Sequence, residues 1–235
     1  MRQIMERYSV ITQKRPREIV LLRGSGCAYR KCTFCDYHLD ACADQAKNDA
    51  LNAAVLSRVT GEYGELEVIN SGSVFELGEG TLAEIRRICA QKGIGVIHFE
   101  SHWLYRERIA GLRRAFEGFE LKMKLGLETF DADFRENILH KGIRETDPEE
   151  ISRNFQEANF LFGLSGQTEA SMERDMELGL RLFERICVNI MCPNSTAVKP
   201  DKQTIEIFKQ RVYPKYADND RVDILLNNTD FGVGD

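Results

Sequence analysis

No apolar run in this chain is long enough to cross a bilayer. The N-terminal stretch MRQIMERYSVITQKRPRE also lacks the apolar h-region of a secretory signal. Both absences point to the cytoplasm. Basic excess is missing too: 32 Lys and Arg stand against 37 Asp and Glu, a net charge of −5. That balance favours solubility and argues against a dedicated nucleic-acid surface. Low-complexity segments, long linkers and shifts of composition are absent, so the 235 residues read as one domain, 1–235. Disulfides have no place in a reducing compartment, and seven cysteines is an odd number for a framework of them.

Strand-like and helix-like stretches alternate throughout. The strands read as 18–23 (EIVLLR), 65–70 (ELEVIN), 95–100 (GVIHFE), 121–128 (LKMKLGLE), 159–164 (NFLFGL), 185–191 (RICVNIM) and a short C-terminal 222–227 (VDILLN). Helical spacing falls at about 46–62, 80–91, 106–116, 132–139, a short turn from Asp147-Pro148, 169–183 and 201–212. Six strand–helix units imply parallel strands, because each crossover helix returns the chain to the same edge. Periodicity leaves open a barrel-like or a flat doubly wound sheet. In either, ligands gather at the C-terminal strand ends. There the chain keeps its cysteine loop, Asn70-Ser71-Gly72-Ser73, Glu100-Ser101-His102, Glu128-Thr129 and Cys192-Pro193-Asn194.

Three of the seven cysteines lie within nine residues, in GSGCAYRKCTFCDYH. Cys27 and Cys32 are separated by four residues, Cys32 and Cys35 by two. Close thiolates suit zinc or an iron–sulfur cluster. A closed zinc site needs a fourth ligand, which His38 or Cys42 would supply. A cluster on three thiolates leaves one iron open to a small molecule. The position of the loop at the active end of the first strand, and the aromatic Phe34 beside Cys35, favour the cluster. Cys89 and Cys187 read as core, Cys42 and Cys192 as packing residues, and His98 as a structural residue turned away from Glu100.

The loop (residues 24–45) resembles the cluster motif of the radical S-adenosylmethionine superfamily, with one extra residue in the first gap. The likeness implies a partial (β/α)6 barrel of parallel strands, here with a short C-terminal strand added. It implies a [4Fe-4S] cluster on Cys27, Cys32 and Cys35, with S-adenosylmethionine chelating the open iron. Phe34 and Tyr37 would flank the cofactor. Asn70, Ser71, Gly72 and Ser73 take the place of a run that meets the methionine amino group. GLETFDADFRENILHKG (126–142) resembles a strand-four motif. Glu128 would meet the cofactor's amino group or ribose, and Arg135 its carboxylate side. In GLSGQTEAS, Leu164 would lie on the adenine. A one-electron donor such as a flavodoxin or ferredoxin is implied as partner.

The chemistry so implied is reductive cleavage of the sulfonium to methionine and a 5′-deoxyadenosyl radical. Glu100, His102, Asn189, Asn228 and Asp230 are candidates for holding a purine-like edge. Within the superfamily, the short chain, the RGSGCAYRKCTFCDYH loop, the NSGS run and the GLET segment are similar to the queuine lyases. That family cleaves queuine, a 7-deazaguanine base, to 7-aminomethyl-7-deazaguanine. Two alternatives stand beside it: another radical reaction on a deazapurine or tRNA base, and a non-catalytic zinc module.

Overall fold

The structure is a computed structural model that describes residues 6–227. Among the described residues there are eight strands: β1 (Tyr8–Ile11), β2 (Arg17–Leu22), β3 (Glu65–Asn70), β4 (Val96–Ser101), β5 (Glu120–Glu128), β6 (Glu157–Phe162), β7 (Arg185–Ile190) and β8 (Val222–Leu225). Seven α-helices join them: α1 (Gln45–Leu56), α2 (Glu79–Lys92), α3 (Ile109–Ala115), α4 (Pro148–Ser152), α5 (Glu169–Leu182), α6 (Lys202–Ile207) and α7 (Tyr213–Tyr216). The fold class is the expected one, α/β with parallel strands and a short C-terminal strand. No described helix is long and apolar enough to cross a membrane.

The chain forms two compact units. One holds residues up to Arg30 and Tyr37–Met123; the other holds Lys31–Asp36 and the residues from Lys124 on. In the first unit β2, β3 and β4 pair in parallel, and β1 adds to β2 antiparallel. Strand β1 has no local signal, since YSVI is four residues long and surrounded by charge. Every residue of β2 is buried, as for a strand covered on both faces. Leu66, Val68, Ile97 and Phe99 form the apolar layer under the helices. Helix α2 ends where Gly93 takes a left-handed φ of 69° and returns its N–H to Cys89.

In the second unit β5, β6, β7 and β8 pair in parallel. Phe160 and Phe162 point to the helix side, where Phe162 meets Phe208 with ring centroids 5.6 Å apart. Both units close the N-terminal ends of their strands with paired charges. Arg17 bonds Glu67, Glu65 accepts from Arg15 and faces His98, and Arg185 binds Glu157 and Asp223. Removing one partner of a buried pair such as Arg185–Glu157 would strand the other charge, which is costly. His98 is structural, as read, but residues 98 and 100 stand two apart and share a face. Its bond to Glu65 at 3.1 Å, not its direction, accounts for it.

Candidate functional site

In the first unit the loop after β2 is pinned at both ends. The Cys42 N–H donates to the Gly24 carbonyl, and the Ser25 N–H to the Glu76 carbonyl, each at 3.2 Å. The buried Glu76 organises what lies between. Its carboxylate accepts the Ala28 and Ser73 N–H groups, both at 2.7 Å, and the Tyr105 hydroxyl at 3.0 Å. Backbone beside Cys27 is thereby fixed to the loop after β3. Burial, reinforced by Glu76, pushes the Tyr105 hydroxyl up to about 12, so it stays protonated and donates. Gly72 is obligatory in this packing. A Cβ there would lie 2.0 Å from Glu76 Oε2 and 3.1 Å from Cys27 Cα. Sequence reading missed Glu76, although Ser73-x-x-Glu76 has the spacing of a capping box.

Asn70 closes β3. Its Nδ2 donates to the Ser73 carbonyl at 3.0 Å, while its buried Oδ1 has no hydrogen-bond partner among the described residues. An amide oxygen left this way is costly, and a ligand N–H or ammonium would satisfy it. Ser71 donates to Asp40, which pairs with Arg7, and Ser73 donates to Ser101. The extra residue of the first cysteine gap is absorbed by Arg30, at φ +51°, whose Nε reaches back to the Cys27 carbonyl. Tyr29 then stacks on His102 with centroids 4.6 Å apart. His102 Nδ1 accepts the Leu104 N–H at 3.1 Å, so the proton of the neutral ring lies on Nε2. Glu100 is half-buried on β4, and Tyr37 is 53 % exposed in a 3-10 turn (Tyr37–Asp40).

The second unit carries Cys32 and Cys35. Thr33 bonds the carbonyls of Leu139 and Ile138 through its N–H and hydroxyl. Asn194 donates to the Phe34 carbonyl at 2.6 Å, and Asp36 accepts from Ser195. Phe34 packs on the buried Leu139, Leu161, Leu164 and Met191. Two residues predicted to flank the cofactor, Phe34 and Leu164, are thus brought together.

Glu128, at the end of β5, is buried with φ at +74°, a conformation that a non-glycine residue adopts at a cost of about 1–3 kcal/mol. Its Oε1 accepts Lys141 Nζ at 2.7 Å. Lys141 belongs to the Lys-Gly pair of the strand-four motif, yet sequence reading gave it no role. Burial draws its pKa down, but the Glu128 carboxylate, with Cys32 and Cys35 as thiolates, outweighs that and holds it above the ordinary lysine value. The ammonium also lies 5.5 Å from the Phe34 ring centroid.

Arg135 is built into the fold. It is fully buried, and its guanidinium donates to the carbonyls of Thr129, Ile143 and Glu145. Those bonds engage four of its five N–H donors. Cys187 is half-buried on the face of β7 that also carries Asn189, and so is not the core residue expected. Cys89 is core as read, and burial pushes its thiol up to about 12. Cys192 bonds the Ile190 carbonyl, and the Cys42 carbonyl holds Asn48. Asn228 and Asp230 lie outside the described residues. None of the seven cysteines is in a disulfide. Among the described residues, no three His, Cys, Asp or Glu side chains group as ligands of a metal ion.

No protein-family model and no curated protein sequence matches the chain. Solved structures do. A queuine lyase from Clostridium spiroforme, bound to S-adenosylmethionine and queuine, superposes with a TM-score of 0.93 at 42 % identity, covering 98 % of this chain and 100 % of that one. SuiB from Streptococcus suis, bound to S-adenosylmethionine, gives 0.57 at 14 % identity over 88 % of this chain and 49 % of that one. SuiB bound to its precursor peptide SuiA gives 0.55 at 14 % identity over 88 % and 48 %. The SuiB likeness is one of fold.

Proposed function

The chain belongs to the queuine lyase family, and on that premise we propose that it cleaves queuine to 7-aminomethyl-7-deazaguanine by radical chemistry on S-adenosylmethionine. The observation that carries this reading is the full-length match at 42 % identity to a queuine lyase holding both molecules. The bond cut is the one between the aminomethyl nitrogen and the cyclopentenediol ring.

The residues present fit the cofactors. Cys27, Cys32 and Cys35 supply three soft, partly exposed thiols, which suit a [4Fe-4S] cluster with one iron left open. The unsatisfied Asn70 Oδ1 is the acceptor that an ammonium group requires. When bound, the cluster and S-adenosylmethionine supply the electron transfer and the 5′-deoxyadenosyl radical.

The chain's own groups bind, orient and exclude water. Asn70, with Ser71, Gly72 and Ser73, receives the methionine amino group; Glu76 keeps that loop and the Cys27 backbone rigid. Phe34 and Leu164 offer the adenine an apolar wall. Glu128 is assigned as the acceptor for the cofactor's ribose or amino group; Tyr37 stands at the loop's rim. Glu100, His102 and Asn189 are assigned to the deazaguanine edge, with Asn228 and Asp230 from the C-terminal segment. The His102 Nε2–H donates to a carbonyl-type acceptor. We assign the enzyme to the cytoplasm, where a flavodoxin or ferredoxin would reduce it, with 1–235 as one catalytic domain.

The test is anaerobic incubation with queuine, S-adenosylmethionine and dithionite, followed by mass spectrometry. Formation of 7-aminomethyl-7-deazaguanine with 5′-deoxyadenosine or methionine is expected. Cleavage of S-adenosylmethionine with queuine left intact would overturn the lyase assignment.

A further inference from the structure

We propose that Lys141, braced by Glu128, is the fixed cation that sets the reduction potential of the iron–sulfur cluster held by Cys32 and Cys35. The inference rests on the cluster reading above and extends it to a residue outside the ligand set.

Lys141 is placed by three independent constraints. Its Nζ is bonded to Glu128 Oε1 at 2.7 Å, and both side chains are about nine-tenths buried. Gly126 leaves the space the ammonium fills: a Cβ there would lie 3.0 Å from Nζ. The ring of Phe34, between the two cysteines in sequence, faces the same nitrogen at 5.5 Å. Phe34 adjoins Cys35 and lies two residues from Cys32, so this contact sets the ammonium against the cysteine segment. A mobile surface lysine would be screened by water, whereas a buried and braced one is not.

Adding one electron makes the cluster one unit more negative. A nearby cation stabilises that reduced form more than the oxidised one, so it raises the potential; a carboxylate does the reverse. The two partners of the ion pair therefore act in opposite directions, which a purely structural bridge would not do. Loss of Lys141 removes the cation and exposes the cluster to an uncompensated Glu128. Loss of the Glu128 charge removes the carboxylate that opposes the cation.

The experiment is an EPR-monitored dithionite titration of anaerobically loaded protein without S-adenosylmethionine. At the wild-type midpoint, Lys141→Met is expected to lower the ratio of reduced to oxidised cluster at least about tenfold, equivalent to a drop of about 59 mV for one electron. Lys141→Arg should keep the wild-type midpoint, and Glu128→Gln should raise it. Lys141→Met/Glu128→Gln, which removes the buried charges together, should fall between the single variants. Brown protein whose midpoint is unmoved by Lys141→Met, or moved the same way by Lys141→Met and Glu128→Gln, overturns the inference alone. Should Lys141→Met take up no cluster, Lys141→Gln is titrated in its place: a lowered midpoint supports the inference and an unchanged one overturns it. Wild-type protein without iron would instead overturn the cluster reading beneath it.

Discussion

Replacing Asp175 with asparagine isolates a buried proton beneath the Glu128 segment. Asp175 sits on α5, 2 % exposed, and its Oδ1 accepts the Phe130 N–H at 2.7 Å. Burial pushes its carboxyl from the ordinary 3.8 up to about 7, against the lowering effect of the Thr129 hydroxyl and the Phe130 N–H. Between those two values the native chain holds a proton that the unfolded chain releases. Stability from this group is therefore complete below about pH 4 and is lost as pH rises through about 7. A shift of about three units corresponds to about 4 kcal/mol. Asparagine keeps an acceptor for Phe130 and has no proton to lose. The assay is urea unfolding of wild type and Asp175→Asn at pH 4, 5.5, 7 and 8. The wild-type stability minus the variant's should fall by up to about 4 kcal/mol across that range. A difference that stays constant with pH would refute the buried-proton account.

Other substitutions separate binding from folding. Arg135→Met should cost about 3 kcal/mol or more in urea unfolding, because the carbonyls of Thr129, Ile143 and Glu145 lose their donors; unchanged stability with weakened S-adenosylmethionine binding would restore Arg135 to the cofactor site. Asn70→Ala should weaken S-adenosylmethionine binding about tenfold in equilibrium dialysis while leaving iron content alone, the worth of one hydrogen bond to a charged group. Gly72→Ala should lower iron content, since the new methyl intrudes on Glu76 and the Cys27 backbone; full loading would contradict that packing. Cys32→Ala should abolish the brown colour and S-adenosylmethionine cleavage with the fold largely kept, as far-UV circular dichroism would show.

Much of the fold was legible because its signals are local. The alternation of β3 and the turn residues after it give Glu65–Asn70 without error. Legibility fails where backbone bonding departs from the α pattern. The helix read at 106–116 is a 3-10 stretch, Trp103–Arg108, followed by α3, and the one read at 132–139 contains a π turn, Phe134–Ile138. The last helix continues beyond 212 to Tyr216. A π turn, Phe208–Val212, precedes Pro214, which has no N–H to place in an α ladder.

The site follows the same rule. Cysteine spacing and the NSGS and GLET runs are contiguous, so they can be read. Lys141 meets Glu128 across thirteen residues, and Glu76 meets Ala28 across forty-eight. Such partnerships depend on how strands and loops are assembled, and no spacing announces them. Arg135 was assigned through the likeness of its motif, and only tertiary structure shows the carbonyls that surround it.

The most direct measurement is the EPR spectrum of the anaerobically reconstituted, dithionite-reduced protein, recorded before and after adding S-adenosylmethionine. An S = 1/2 signal of a reduced [4Fe-4S] cluster whose g values move on addition is predicted, since the sulfonium molecule would then occupy an iron that no side chain covers. Absence of the signal, or a spectrum indifferent to S-adenosylmethionine, would contradict the account.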